Sequence, residues 1–508
     1  MELLRPWTPT RLVAAVILAG LAVRLALAGT IGLGVDESYM VAVARRFSLG
    51  YFDHPPLSFW LAGAIAKLTG SEARLVVRLP FVLLFAGTTW IMYRLAARLF
   101  GEWAGAWAAT LLNLSPVFSV STGGWVLPDG PLMLFLVGAA YCLARALAPD
   151  QTPPAAGTRW WLGAGTLGGL ALLSKYHGAF LGLGALLFLA TCPGRRHRLR
   201  RPGPYLAAAI ALAIFLPVVI WNAQHDWASF RYQAGRGLPV RGLDLGSLLA
   251  NVGGQALYVL PWIWLPLLWE LIAGLRAGPG HQRRWLLCCV AVGPIAAFTL
   301  VALGGRVGLP HWQAPGYLLL FPLLGASVAA RLARGDAAVR RWLIASVVAF
   351  PLLLAAAATH TATGWMSRVA PGLLGRGDPS LEALDWRDLG PALRDRGLLE
   401  EPGRFVAATR WIEAGKIAYA LGPGVPVLCL CAAPHHFAFL EDQRAFLGRD
   451  AVLIERSGSE RVADAYLPYF DSVRRLGTVP IRRGGRPGLE VDLYLARGFR
   501  RTFPAGGS

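Results

Sequence analysis

Apolar runs of membrane length, broken again and again by short clusters of arginine, restrict this chain more than any other feature. Lipid offers backbone polar groups no partners, so such runs must satisfy their own hydrogen bonds as helices. They thread in alternating directions as about eleven spans of roughly 20 residues each. In order these are Leu12–Ala28, Leu75–Leu95, Trp103–Val120, Pro131–Leu147, Trp160–Leu173, Tyr176–Thr191, Tyr205–Ile220, Ala256–Leu275, Trp285–Leu303, Trp312–Ala330 and Trp342–Ala358. The arginine clusters, the strongest being Arg195 to Arg201, then fall on one side each time, as positive charges do on the cytoplasmic side. Only 15% of residues are charged, where a soluble domain carries about a quarter. The net charge of +20 therefore reads as a topology signal, and no nucleic-acid partner is expected.

Arg5 and Arg11 set the N-terminus in the cytoplasm. The first run also has the look of a signal peptide, with Ala26-Leu27-Ala28 as a cleavage site; Arg24 inside it and the later spans favour an uncleaved anchor. The Pro/Ala/Gly-rich stretch Thr152–Arg159 reads as a linker on the inner side. From about Gly375 short β-like runs appear at 404–409, 425–431, 451–455, 473–480 and 491–496, with helical patterns at Trp411–Leu421 and Glu460–Tyr469 between them. Such alternation predicts a small α/β domain, which an odd number of spans leaves on the outer side. The expected division is thus 1–360 for the membrane domain, with 30–74 as its first outer loop, and 375–508 for the α/β domain. Cys142, Cys192, Cys288 and Cys289 read as small buried hydrophobes. Cys429 and Cys431, two apart in a strand-like run, are poorly spaced for a mutual disulfide or a complete metal site.

The outer loop from Val35 to Trp60 draws the most attention. Asp36 and Glu37 open it, Asp53-His54-Pro55-Pro56 turns it, and an amphipathic pattern lies between. Tyr39, Met40, Val43, Ala44 and Phe47 fall on one face, so the helix is expected to lie in the membrane interface. The next helix, from Leu57 to Leu68, is apolar nearly all round and is expected to be half-embedded. Carboxylates beside a bilayer are costly unless a task keeps them, although Asp36 is also a good helix cap. The same side gathers Asp129, Lys175, His177, His225, Arg306 and His311. Paired carboxylates with several cations suit an anionic, lipid-linked substrate: a carboxylate serves as base and cations hold a phosphate. Each has a plainer role as well. Lys175 can snorkel, Asp129 can cap a helix, Arg306 can position, and His225 and His311 can be ordinary loop histidines. A transporter or flippase for a lipid-linked or anionic substrate stays open, though its charges belong at mid-membrane with broken helices. A non-catalytic assembly or export subunit stays open too.

At these residues the chain resembles a known family, the bacterial GT-C membrane glycosyltransferases related to protein O-mannosyltransferases. It is especially similar to the galacturonosyltransferases of lipopolysaccharide core and the lipid A aminoarabinose transferase. The resemblance rests on VDESY at 35–39, GYFDHPPL at 50–57, LSKY at 173–176, IWNAQHDWASF at 220–230 and PHWQAPGY at 310–317. It implies a polytopic α-helical GT-C fold with a small periplasmic α/β domain. It also implies a sugar donor on a polyprenyl phosphate and inverting transfer at the periplasmic face of the bacterial inner membrane, to a lipid or glycan acceptor such as lipid A. By the same resemblance Asp36 matches the acidic residue assigned as catalytic, and Asp53 an acidic position assigned to substrate or metal binding. Lys175 stands near the lipid phosphate. Glu37, His54, Asp129, His225, Arg306 and His311 are expected to line the substrate site. His54 stands where the aminoarabinose transferase has lysine, which counts against that sugar. No cofactor is required; a divalent metal at Asp36 and Asp53 is compatible, but the spacing does not demand one.

Overall fold

The computed structural model describes residues 7–147, 154–237, 242–306, 308–374, 377–458 and 462–504. The chain divides into two compact units: 1–25, 49–58 and 79–352 form the first, and 26–48, 59–78 and 353–508 the second.

The first unit is helical. Among the described residues of the whole chain, seven helices are long and apolar enough to cross a membrane, or nine if each of two bent pairs is one span. Nine of the expected runs are therefore accounted for, and two differ for local reasons. In Trp103–Val120 the helix is Glu102–Asn113; it stops ahead of Pro116, and the π-helical turn Val117–Thr122 follows. Proline disfavours helix at the residue before it and removes a donor. Trp160–Leu173 lies within the helix Pro154–Ser174, whose glycines dilute its hydropathy but admit a neighbour. A Cβ at Gly165 would sit 2.5 Å from the Ala207 carbonyl oxygen, and one at Gly169 would sit 2.9 Å from Ala211 Cα. Small residues four apart let two helix backbones approach this closely. Residues 152–153 of the expected linker lie outside the described residues, and the rest of it is already helix.

The bent pairs have visible causes. Leu245–Val259 and Pro261–Ala277 meet at 109°, where Leu260 adopts φ +79 ahead of proline. The arginine run leaves its apolar helix at 115° as the 3-10 helix Pro193–Arg200. Met92, Leu111, Phe118, Leu136, Leu267 and Leu320 are among the side chains of the helical core. Arg24, the charge inside the first run, is buried there. Its Nε donates to the Ser119 carbonyl (2.7 Å) and an Nη to Asn113 Oδ1 (2.7 Å), and it lies 4.3 Å over the Phe85 ring.

The second unit is built on a five-stranded sheet: β1 (Phe405–Ala408), β2 (Val427–Cys429), β3 (Ala451–Arg456), β4 (Phe470–Arg483) and β5 (Arg486–Phe499). Their order is β2-β1-β3-β5-β4, with β1 parallel to β2 and β3, and β5 antiparallel to β3 and β4. The helix Trp411–Leu421 makes the crossover from β1 to β2. Each strand falls where a β-like run is expected. β4 and β5 extend further because a Gly484-Gly485 turn, both at positive φ, joins them directly. Residues 460–461 of the expected helix at Glu460–Tyr469 lie outside the described residues; Val462–Tyr466 is helical.

The acid-bearing segment belongs to this second unit. Its helix, Val35–Ala44, is buried from Glu37 to Ala44 and so is not an interfacial helix with one wet face. The difference arises from partners distant in sequence. Tyr39 meets Trp411 edge-on at 5.2 Å, its hydroxyl accepts from the His436 N–H (3.0 Å), and a Cβ at Gly415 would sit 2.8 Å from Tyr39 Cα. Beyond the helix Phe47 is exposed and stacks on Trp60 at 5.5 Å.

Candidate active site

The two adjacent acids of the second unit face opposite fates. The helix N-cap is Gly34 rather than Asp36, and Glu37 reaches back to accept from the Gly34 N–H (2.8 Å). Asp36 is therefore left exposed in the first turn, where the positive end of the helix favours a carboxylate. Glu37 is buried against Arg78, both side chains 2% exposed. Arg78 Nε and one Nη grip the two Glu37 oxygens at 2.7 and 2.5 Å. Its remaining N–H groups reach the carbonyls of Ala28 (3.4 Å), Ile31 (2.8 Å) and Gly32 (2.8 Å). A guanidinium has five donors, and all are spent here on fixing the chain into the Asp36 turn. Lys416 completes the brace by donating to the carbonyls of Leu33 and Leu384.

In the first unit Asp53, His54, Asp129, Lys175 and His311 come together, with His177 and Arg236 among their neighbours. Asp129 starts the helix Asp129–Ala146, and Lys175 follows the end of Pro154–Ser174. Lys175 Nζ donates to both Asp129 oxygens at 2.9 Å, with the side chains 5% and 7% exposed. An ammonium carries three donors, so one stays unspent among the described residues. His54 Nδ1 and His177 Nε2 are buried nitrogens without a hydrogen-bond partner among the described residues. Burial, and then the charge of Lys175, push His54 down to about 3 and His311 down to about 4. Both imidazoles are therefore neutral at pH 7, and positive charge near them comes from Lys175 and Arg236 rather than from His54.

The Trp221 segment holds this cluster's first loop in place. Asp226 and Trp227 take positive φ, 51 and 57. Asn222 bridges the turn, its carbonyl accepting from the Trp227 N–H (2.8 Å) and its Oδ1 from the Phe230 N–H (3.1 Å). Two positive-φ residues without glycine cost strain, which surrounding contacts must hold. Trp221 presses on Gly50, where a Cβ would lie 2.9 Å from Trp221 Cβ, and Gln233 donates to the Asp53 carbonyl at 2.5 Å. Phe52 and Tyr232 pack at 4.6 Å. His225 stacks on Trp221 at 4.3 Å, with Nδ1 on the Trp221 carbonyl (2.8 Å), so it closes a helix end. Arg306 is half-buried in the turn after Gln282–Leu303.

Arg78 and Arg236 were not singled out from the sequence. Arg78 lies inside a run read as membrane span, where an arginine is itself a signal of a buried partner. Arg236 sits over Trp312 at 4.8 Å and Tyr232 at 5.4 Å, contacts that no spacing reveals. Among the described residues no group of three or more His, Cys, Asp or Glu is arranged to hold a metal ion.

Residues 53–221 match the family model described as dolichyl-phosphate-mannose-protein mannosyltransferase. The lipid A galacturonosyltransferase of Rhizobium johnstonii is 27% identical over 291 residues, 56% of this chain and 58% of its own length. The chain thus matches little more than half the length of that curated relative. The crystal structure of ArnT from Cupriavidus metallidurans bound to undecaprenyl phosphate superposes with a TM-score of 0.64 at 17% identity, covering 95% of this chain and 97% of that one. The oligosaccharyltransferase of Archaeoglobus fulgidus gives a TM-score of 0.50 at 13% identity, over 87% of this chain and 68% of its own. At such identities these structures share the fold, and the fold is the one the motifs at 35–57 lead to expect. By these matches the chain is similar to the dolichyl-phosphate-mannose-protein mannosyltransferases across a third of its length, and its fold is that of ArnT.

Proposed function

We propose that this chain is an inverting glycosyltransferase that moves a sugar from a polyprenyl-phosphate donor to a lipid or glycan acceptor of the lipid A or lipopolysaccharide-core kind. It acts at the periplasmic face of the bacterial inner membrane, with its N-terminus cytoplasmic and residues 375–508 periplasmic. The single observation that carries this reading is the unsaturated Lys175–Asp129 cluster: one ammonium N–H and two buried imidazole nitrogens stand unspent. Buried polar groups are normally paired, and a phosphate oxygen is the acceptor that an ammonium N–H suits. The similarity to a lipid A galacturonosyltransferase and to a protein that binds undecaprenyl phosphate supports the same substrate class.

In this mechanism Asp36 takes the proton of an acceptor hydroxyl as that oxygen attacks the anomeric carbon. The bond from that carbon to the prenyl-phosphate oxygen breaks on the opposite face, and the electron pair leaves with the phosphate. Lys175 and Arg236 stabilise its charge, and the neutral His54 and His311 serve as hydrogen-bond partners. Asp53 orients the sugar. No step calls for a metal.

The test is transfer by the purified chain in detergent, with undecaprenyl-phosphate-linked galacturonic acid, aminoarabinose and mannose each offered beside lipid A and core acceptors. The expected result is an acceptor heavier by one sugar, inverted at the anomeric carbon, and release of undecaprenyl phosphate. Failure of every donor, with the protein folded, overturns the proposal.

A further inference from the structure

Cys429 and Cys431 lie outside both clusters described so far. β2 ends at Cys429 and the chain bends at Cys431, so the two side chains converge on one face rather than trailing along a strand. Their sulfurs are 2.8 Å apart, and closing by about 1 Å would give a covalent bond. Cys429 is buried, whereas Cys431 is half-buried and reachable. The backbone N–H groups of Ala433 and Trp411 lie near the Cys431 sulfur. Trp411 is the first residue of an 11-residue helix, so Cys431 sits at a helix N-terminus. The Cys429 thiol and His435 are its other polar neighbours. The hydrogen bond between the two sulfurs, then the nearby backbone N–H groups, lower the pKa of Cys431 and favour its thiolate, while the same bond and then burial push Cys429 up.

We propose that Cys429 and Cys431 form a reversible dithiol–disulfide pair, a redox site in the sheet-bearing unit, with Cys431 as the attacking sulfur. The oxidant is a disulfide, low-molecular-weight or protein-borne. The Cys431 thiolate attacks one of its sulfurs and expels the other as a thiolate, giving a mixed disulfide. Cys429 then loses its proton to solvent, attacks the Cys431 sulfur and releases the second thiolate. Two protein thiols become one disulfide, and one oxidant disulfide becomes two thiols. A ring closed over one intervening residue is small, and strained disulfides are the readily reduced ones, which suits a switch rather than a permanent staple. The pair also has a physical route to Asp36 inside the same unit. A disulfide removes the thiolate charge beside Trp411, and the Trp411 ring packs on Tyr39 of the Asp36 helix. That consequence alone rests on the function proposed above.

The experiment treats the full chain in detergent with oxidised glutathione or with dithiothreitol, alkylates it, and maps the peptide that carries both cysteines. After oxidation that peptide should refuse both alkyl groups and be lighter by about 2 Da than its dithiol form; dithiothreitol should restore both sites. Full alkylation after oxidation overturns the proposal, as does a glutathione adduct that never closes in the native chain. Cys429→Ser should trap glutathione on Cys431, and Cys431→Ser should take up little on Cys429; the reverse pattern overturns the assignment of the attacking sulfur. Both variants are first checked for unchanged elution and helical signal. None of these readouts needs sugar transfer, so their failure is separate from failure of the proposed function.

Discussion

Two buried ion pairs, Glu37–Arg78 and Asp129–Lys175, have similar burial and opposite character. Every donor of Arg78 is engaged, two sides on Glu37 and the rest on three backbone carbonyls. Lys175 donates only to Asp129 among the described residues, and one imidazole nitrogen each of His54 and His177, Nδ1 and Nε2, has no partner among them. A saturated pair is a bolt: nothing else can bind without taking it apart. An unsaturated pair has already met the cost of burying charge and still has donors to offer, which is what a site for an anionic group needs. Burial or pairing alone would not separate the two; hydrogen-bond saturation does.

The largest effect is expected where the bolt is broken. Arg78→Met should cost about 3–5 kcal/mol, because it strands the Glu37 carboxylate in the interior; the yield of folded protein and its melting temperature both report it. Adding Glu37→Leu should recover most of that loss. Asp36→Asn comes next: transfer should fall about 10²- to 10⁴-fold, the usual worth of a general base, with melting unchanged because Asp36 is exposed. Turnover retained in that variant would remove Asp36 from the mechanism. Lys175→Met should lower transfer by about 10²- to 10³-fold. Its double variant with Asp129→Leu should regain stability without regaining transfer. Recovery of both would make this pair a second bolt and erase the contrast.

The smallest effect concerns Lys416. Burial lowers it from 10.5 to about 7 against the opposing pull of Glu37 and Asp385. From pH 7 to 10.5 the unfolded chain thus holds more protons there, and stability should rise with pH. Burial raises Glu413 from 4.5 to about 7, so between those values the folded form holds more protons and stability should fall as pH rises. Compared with the parent chain, Lys416→Met should lose the rise in melting temperature between pH 7 and 10.5, and Glu413→Gln should lose the fall between pH 4.5 and 7.

Much of the membrane architecture was legible because arginine clusters and apolar length are local signals. Trp103–Val120 escaped because hydropathy averages over Pro116, whose effect is on backbone geometry. The strands of the sheet could be read from short apolar runs, and Asp36, Asp53 and His54 from their motifs. Their environments could not. The partners that bury the Tyr39 face, Trp411 and Gly415, come from the far end of the chain, so its amphipathic pattern was read as a membrane-facing stripe. Likewise the motif around Trp221 looked like a row of ligands, whereas Asn222, His225 and Gln233 fix a turn and a neighbouring loop.

The helix bearing Asp36 is synthesised early, yet the backbone N–H that meets its Tyr39 hydroxyl arrives 397 residues later. Contacts so remote in sequence carry a large loop-closure cost, so the floor of that helix is a non-local one. Removing residues 411–436 should therefore expose the Tyr39 face of that helix, since Trp411, Gly415 and His436 are what cover it.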